Sequence, residues 1–83
     1  MDDKNKIKER IKQIISERLE INIENIKPES ELKNDLGIDS FGFVEMIYEV
    51  KEKFGINIED KDFSTIKKVE DVVSYIFNKT KEK

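Results

Sequence analysis

The residues best suited to chemistry lie in one short run, Asp35-Leu36-Gly37-Ile38-Asp39-Ser40-Phe41. A glycine turn, a capping carboxylate and a hydroxyl come together there at the start of a predicted helix. The free N–H groups and the positive dipole end of a helix start favour a phosphate, so a phosphodiester on the Ser40 hydroxyl would be well placed. Serine at a helix start is also an ordinary capping residue. The local physics therefore permits this modification without demanding it.

The composition argues against catalysis by the chain itself. Histidine and cysteine are both absent, which removes the commonest general base, the thiol nucleophile and the thiolate metal ligand. Carboxylate pairs remain, but a chain of 83 residues offers little room for a concave active site. We therefore expect a protein that is not an enzyme.

A calcium loop can be considered at Asp60, Asp62, Ser64 and Asp71, which stand at positions 1, 3, 5 and 12 of the required spacing. Thr65 occupies the sixth position, where the sharp turn wants glycine, and the last ligand is aspartate instead of a bidentate glutamate. We expect no metal site here.

Charge is unevenly distributed along the chain. The net charge is only -3, yet acidic residues are concentrated between residues 21 and 60, while both ends are slightly basic. This pattern disfavours nucleic acid and would attract a basic partner surface. No apolar run is long enough for a secretory signal or a spanning helix. We expect a cytoplasmic protein, without membrane insertion.

Apolar periodicity predicts an all-α fold. Residues 3–19 and 69–80 each carry one apolar helical face, and a central helix runs from Asp39, a good N-cap, to Phe54, with Gly55 as its stop. Between residues 55 and 68 Asp60 could cap one short helical turn. We expect one small domain over residues 1–83, with its core at about 3–80: a bundle of three longer helices and one short helix.

The central helix has two apolar stripes. One is expected to face the core and consists of Phe43, Met46, Ile47, Val50 and Phe54. The other begins beside Ser40 and consists of Phe41, Val44 and Tyr48. From the residues alone, burial on both sides is favoured over an exposed docking stripe.

The run Asp-Leu-Gly-Ile-Asp-Ser, followed by Phe43-Val44-Glu45-Met46 and Phe54-Gly55-Ile56-Asn57-Ile58, resembles the acyl carrier protein family and its phosphopantetheine attachment motif. The resemblance covers nearly the whole chain, because the helices follow one another in family order. It implies that Ser40 accepts 4'-phosphopantetheine from coenzyme A through a separate phosphopantetheinyl transferase. It also implies that Asp39 takes part in recognition by that transferase, although capping alone would explain this residue.

The resemblance assigns roles to further residues. It implies that the central helix docks partners, namely acyl-transferring, condensing or ligase enzymes with basic surfaces, while the carrier itself is a monomer. The docking side chains would be Phe41, Val44, Glu45, Tyr48 and Glu49, which makes the second stripe exposed. The region that can admit an acyl chain would be lined by Phe54, Ile58, Ile66, Val72 and Tyr75.

Several positions depart from the fatty-acid carriers. Gly42 replaces a polar residue, Phe41 replaces the commoner leucine, and Lys51 and Lys53 interrupt a helix end that is usually acidic. The string Asp-Ser-Phe-Gly is similar to D-alanyl carrier proteins. An aminoacyl, D-alanyl or peptidyl carrier of a dedicated pathway is therefore the alternative to an acyl carrier that serves fatty-acid or related biosynthesis. An unmodified helical interaction domain is a third interpretation.

Overall fold

The structure, a computed structural model, describes residues 3–81 as three α-helices and two short 3₁₀ helices. In chain order these are α1 (Asp3–Leu19), η1 (Ile23–Asn25), α2 (Ser40–Phe54), η2 (Asp60–Thr65) and α3 (Val69–Lys81). The predicted all-α class is confirmed, and the three long helices have the predicted bounds to within one residue. An isolated antiparallel bridge joins Glu31 to Lys68.

Helix α1 forms because isoleucines recur on one face of a segment without glycine or proline. Ile7, Ile11, Ile14 and Ile15 are buried, and lysines and glutamates cover the opposite side. The helix ends at Leu19, and the next residue, Glu20, has a left-handed φ of 56° although it is not glycine. This turn lets the Ile21 N–H donate to the Ser16 carbonyl at 3.2 Å.

Helix α2 is bounded by two local signals that were readable in the sequence. The Asp39 carboxylate accepts the Gly42 N–H at 2.7 Å, which confirms the predicted N-cap. At the other end Gly55 has a φ of 64°, and its N–H donates to the Lys51 carbonyl at 2.8 Å. These caps fix the position of Ser40 as the first residue of the helix.

A single buried cluster joins all three α-helices to the connections between them. Its most completely enclosed members come from every part of the chain: Ile11, Ile15, Ile26, Leu32, Met46, Ile47, Val50, Val69, Val72 and Ile76. Phe54, predicted as a core residue, is instead half-buried at the cluster's edge, because it stands in the last turn of α2. The Arg10 guanidinium covers its ring, 4.8 Å from the centroid.

The long connection between η1 and α2 is attached to the start of α3 by backbone hydrogen bonds. The Leu32 N–H donates to the Lys67 carbonyl at 2.9 Å, and the Val69 N–H donates to the Ser30 carbonyl at 3.0 Å. Asp71 accepts the Lys68 N–H at 2.9 Å and so caps α3 from within its first turn. The connection is therefore held as a fixed wall beside α2.

The structure differs from the sequence predictions in both short helices. Helix η1 was not predicted; the Asn22 side chain caps it by accepting the Glu24 N–H. In η2 the N-cap position belongs to Glu59, without a side-chain cap hydrogen bond, so the prediction of Asp60 as the cap was wrong. Asp60 is the first residue of that helix. None of the helices in residues 3–81 is long and apolar enough to cross a membrane.

Candidate functional site

The Ser40 side chain is exposed at the first position of α2. Within residues 3–81 its hydroxyl has no hydrogen-bond partner, and neither the Ser40 nor the Phe41 N–H meets an acceptor. Asp39, beside it, is exposed but uses one carboxylate oxygen to cap the helix. The helix start thus presents a reachable hydroxyl next to free N–H donors, which suit a phosphodiester.

An open groove with a volume of about 720 Å³ begins at Ser40. It runs between the start of α2, the connection at residues 31–34 and η2. Its apolar lining consists of Leu32, Phe43, Val44, Phe63 and Ile66, while charged and polar side chains lie around them: Glu31, Lys33, Asn34, Asp60, Ser64 and Lys67. The groove provides apolar surface directly beside the hydroxyl.

Two aromatic rings hold η2 against α2 along this groove. The rings of Phe63 and Phe43 meet edge to face, with centroids 5.6 Å apart and planes at 82°. Phe43 is buried, while Phe63 is half-buried and packs on the core cluster. The width of the groove therefore depends on where η2 lies.

Only one of the five predicted cargo-lining residues borders this groove. Ile66 lines it, whereas Phe54, Ile58, Val72 and Tyr75 do not. Ile58 and Val72 are buried in the core, and Phe54 and Tyr75 are half-buried elsewhere on its edge. The four other residues belong to the packed interior or its rim, and the apolar surface beside Ser40 is supplied by Leu32, Phe43 and Phe63.

The predicted docking stripe on α2 is exposed at two of its three positions. Phe41 is 74% and Tyr48 is 61% exposed, and both are the large apolar side chains that stand out from the described surface. Val44 is half-buried and lines the groove, so it is less exposed than predicted, while its role in docking stays a prediction. It lies at the boundary between the exposed and buried faces of α2, where it borders the groove together with residues of η2.

The two docking carboxylates predicted on α2 are engaged within the molecule. Arg18, at the end of α1, donates from Nη1 to Glu45 at 3.2 Å and from Nη2 to Glu49 at 3.0 Å. The Lys53 ammonium lies 4.0 Å from the second carboxylate oxygen of Glu49. The acidic surface of α2 is thus partly neutralised by the chain's own cations.

A family model described as "Phosphopantetheine attachment site" matches residues 9–76. The acyl carrier protein of Nitratidesulfovibrio vulgaris (strain DP4) is 40% identical over 73 residues, which cover 88% of this chain and 96% of that protein. The acyl carrier protein of Campylobacter jejuni subsp. doylei is 43% identical over 68 residues, 82% of this chain and 88% of the relative. The chain belongs to the acyl carrier protein family.

A solved structure agrees with this membership. The crystal structure of the acyl carrier protein of Thermotoga maritima superposes with a TM-score of 0.81 at 28% identity, covering 95% of this chain and 92% of that one. The family consists of carriers and not of catalysts, which confirms the expectation that the chain is not an enzyme. Its prosthetic group is covalently attached 4'-phosphopantetheine, as the resemblance implied.

Arg18 and Phe63 are the site residues that sequence reasoning missed. Phe63 had a signal, since it is the one aromatic side chain between Ile58 and Ile66 in a polar connection. Arg18 had none, because nothing in the local sequence relates the end of α1 to carboxylates on another helix. Its role depends on how α1 packs beside α2.

Proposed function

We propose that Ser40 is the attachment point of the 4'-phosphopantetheine arm and that this chain carries acyl intermediates for enzymes of fatty-acid or related biosynthesis. One observation carries the proposal: Ser40 is the first residue of a capped helix, and its exposed hydroxyl borders a groove that contains apolar surface. Ser16, Ser64 and Ser74 lie outside this capped helix start. Family membership supports the same assignment.

The residues of this chain would present the Ser40 hydroxyl to the transferase and then hold the attached group. In the attachment step the Ser40 oxygen would attack the phosphorus next to the pantetheine of coenzyme A, and adenosine 3',5'-bisphosphate would leave. The hydroxyl proton would pass to a base of the transferase, since this chain has no histidine. Free N–H groups at the start of α2 would then donate hydrogen bonds to the negatively charged phosphodiester oxygens.

Once attached, the arm supplies the thiol that this cysteine-free sequence lacks, so that cargo is held as a thioester. Leu32, Phe43, Phe63 and Ile66 would shield an apolar acyl chain from water in the groove. The apolar lining supports acyl cargo over the alternative, an aminoacyl, D-alanyl or peptidyl carrier. The Phe41-Gly42 pair remains the feature shared with D-alanyl carriers.

The partners proposed are a phosphopantetheinyl transferase and acyl-transferring, condensing or ligase enzymes with basic docking surfaces. Phe41 and Tyr48 supply exposed apolar contacts for them, and Glu45 and Glu49 supply the acidic contacts. Asp39 is proposed as a transferase contact in addition to its cap. We further infer a monomeric cytoplasmic carrier formed by residues 1–83.

Intact mass spectrometry tests the attachment. The wild-type chain incubated with coenzyme A and a broad-specificity transferase should gain the mass of one arm, and Ser40→Ala should gain none. Ser64→Ala is the matched control, because Ser64 also borders the groove and its variant should still be modified. A Ser40→Ala chain that gains the arm contradicts the proposal.

A loading assay distinguishes acyl cargo from aminoacyl cargo. The modified chain is offered a fatty-acid transacylase with acyl-coenzyme A and, in parallel, adenylating ligases with amino acids including D-alanine. Acyl transfer in the first reaction supports the proposed function. Loading only by a ligase supports the aminoacyl alternative.

A further inference from the structure

Arg18 is the only described cation that bridges two carboxylates of α2 from another helix. Its planar fork places one nitrogen on Glu45 and the other on Glu49, one helical turn apart. Two carboxylates at this spacing repel each other, so a guanidinium between them is favourable. The three side chains form one network on the surface proposed for docking.

The network leaves part of each carboxylate reachable. The side chains of Glu45 and Glu49 are 48% and 28% exposed, and Arg18 itself is 29% exposed. Ion pairs this exposed are weak, because water and salt screen them and ordering long side chains is unfavourable. A partner enzyme can therefore displace Arg18. Its own cations pair fully with the carboxylate oxygens only after Arg18 has been displaced.

The exposed aromatic residues on the same helix are not covered by Arg18. Phe41 and Tyr48 stay available to an apolar partner surface whether or not the network is intact. Only Lys51 lies over the Tyr48 ring among the described cation–ring contacts, at 5.2 Å. Arg18 thus affects the charged part of docking and leaves the apolar part unchanged.

We propose that Arg18 competes with the basic residues of partner enzymes for Glu45 and Glu49, and so selects against partners that dock mainly by charge. The inference rests on the proposed function, because it concerns the same docking surface. A partner with cations matched to two carboxylates one turn apart associates more slowly than it would without Arg18. A partner that reads mainly Phe41 and Tyr48 is unaffected.

The test compares Arg18→Gln with Lys6→Gln. Both substitutions remove one positive charge from α1, and Lys6 is an exposed residue near the other end of that helix. The measurement is the initial rate of arm addition at subsaturating carrier, by a transferase whose carrier-binding surface is basic, at low and high salt. Arg18→Gln should raise the low-salt rate roughly threefold or more, because rim charges act chiefly on association. Lys6→Gln should change it much less, and high salt should remove the difference.

A double-mutant comparison shows whether the effect passes through the carboxylates. In the Glu45→Gln/Glu49→Gln background Arg18→Gln should no longer accelerate the reaction. Thermal melts of each variant establish that it is folded under assay conditions. Equal rates for Arg18→Gln and Lys6→Gln overturn the inference, as does a slower Arg18→Gln or acceleration that persists in the double-glutamine background.

These results are distinct from a failure of the proposed function. A wild-type chain that gains no arm contradicts both the function and this inference. A wild-type chain that is modified as fast as Arg18→Gln contradicts the inference alone.

Discussion

The Tyr75 hydroxyl on α3 donates a hydrogen bond of 2.5 Å to a carboxylate oxygen of Asp62 in η2. Desolvation by burial, together with the hydrogen bond and charge of Asp62, raises the pKa of Tyr75 to about 12. The Phe43–Phe63 contact joins η2 to α2, and this bond joins η2 to α3 as well. It ties one wall of the groove to α3.

The first prediction concerns pH. A phenol whose pKa is raised on folding stabilises the native state fully below its ordinary pKa of 10.0, and this stabilisation is lost as pH rises towards about 12. Tyr75→Phe should lower the free energy of unfolding by about 1 kcal/mol at pH 8, the usual net contribution of a hydrogen bond. The difference in the free energy of unfolding between this variant and the wild type should be smaller at pH 11 than at pH 8. Urea unfolding of both chains at the two pH values measures this, and a deficit that is equal at both would contradict it.

The second prediction separates the two faces of α2. Met46 is fully buried, so Met46→Ala should lower the free energy of unfolding by about 2–5 kcal/mol. Tyr48→Ala, two residues on, removes an exposed ring and should change it by no more than about 0.5 kcal/mol. The same Tyr48→Ala chain should transfer its cargo to a partner enzyme more slowly. Thermal melts that show equal losses for the two variants would mean that the ring is not free for docking.

The third prediction uses the two left-handed helix ends as a matched pair. Glu20 adopts a φ of 56°, a conformation that is less favourable by about 1–2 kcal/mol for a residue with a side chain than for glycine. Glycine also gives the unfolded chain more conformational freedom, which offsets about 0.4–1 kcal/mol of that gain. Glu20→Gly should therefore raise the free energy of unfolding by about 0.5–1 kcal/mol. Gly55→Ala introduces the opposite change at a φ of 64° and should lower it by a similar amount. Denaturant midpoints that move in the same direction for both would refute the assignment.

The fourth prediction divides the roles of Asp39. Asp39→Ala loses the hydrogen bond from the Gly42 N–H and should lower the free energy of unfolding by about 1 kcal/mol. Asp39→Asn keeps a capping side chain and should lower it by only a few tenths of a kcal/mol. If the transferase reads the charge, both variants should gain the arm more slowly than wild type. Stability is measured by thermal melting and the rate by intact mass. A wild-type rate for Asp39→Asn would leave Asp39 as a cap alone.

The sequence was sufficient to predict the parts of the fold that are determined by local contacts. Asp39 and Gly55 bound α2 through contacts within four residues, and the isoleucine spacing of α1 needs no partner to be recognised. The end of α1 lacked such a signal, since Glu20 takes a conformation for which glycine is the usual residue.

Positions that depend on packing between distant segments could not be predicted. Val44 lines a groove to which η2 also contributes residues, and η2 is held by Phe63 and Asp62 in a segment without clear periodicity. The pairing of Arg18 with Glu45 and Glu49 depends on the angle between α1 and α2, which could not be predicted from the sequence. Tyr75 was predicted to line the region that admits an acyl chain, and its hydrogen bond to Asp62 could not be predicted because this partner is polar and lies on another element.

The backbone hydrogen bonds between the long connection and the start of α3 affect the order in which parts of the structure form. The Leu32 N–H pairs with Lys67 and the Val69 N–H with Ser30, so this wall forms only when the segments on either side of α2 and η2 meet. Such non-local closure comes late because the intervening chain loses entropy first. During synthesis Ser40 leaves the ribosome before Lys67 and Val69 do. An emerging chain therefore exposes the serine before it has a complete groove, and shelter for cargo begins only when the start of α3 has emerged as well.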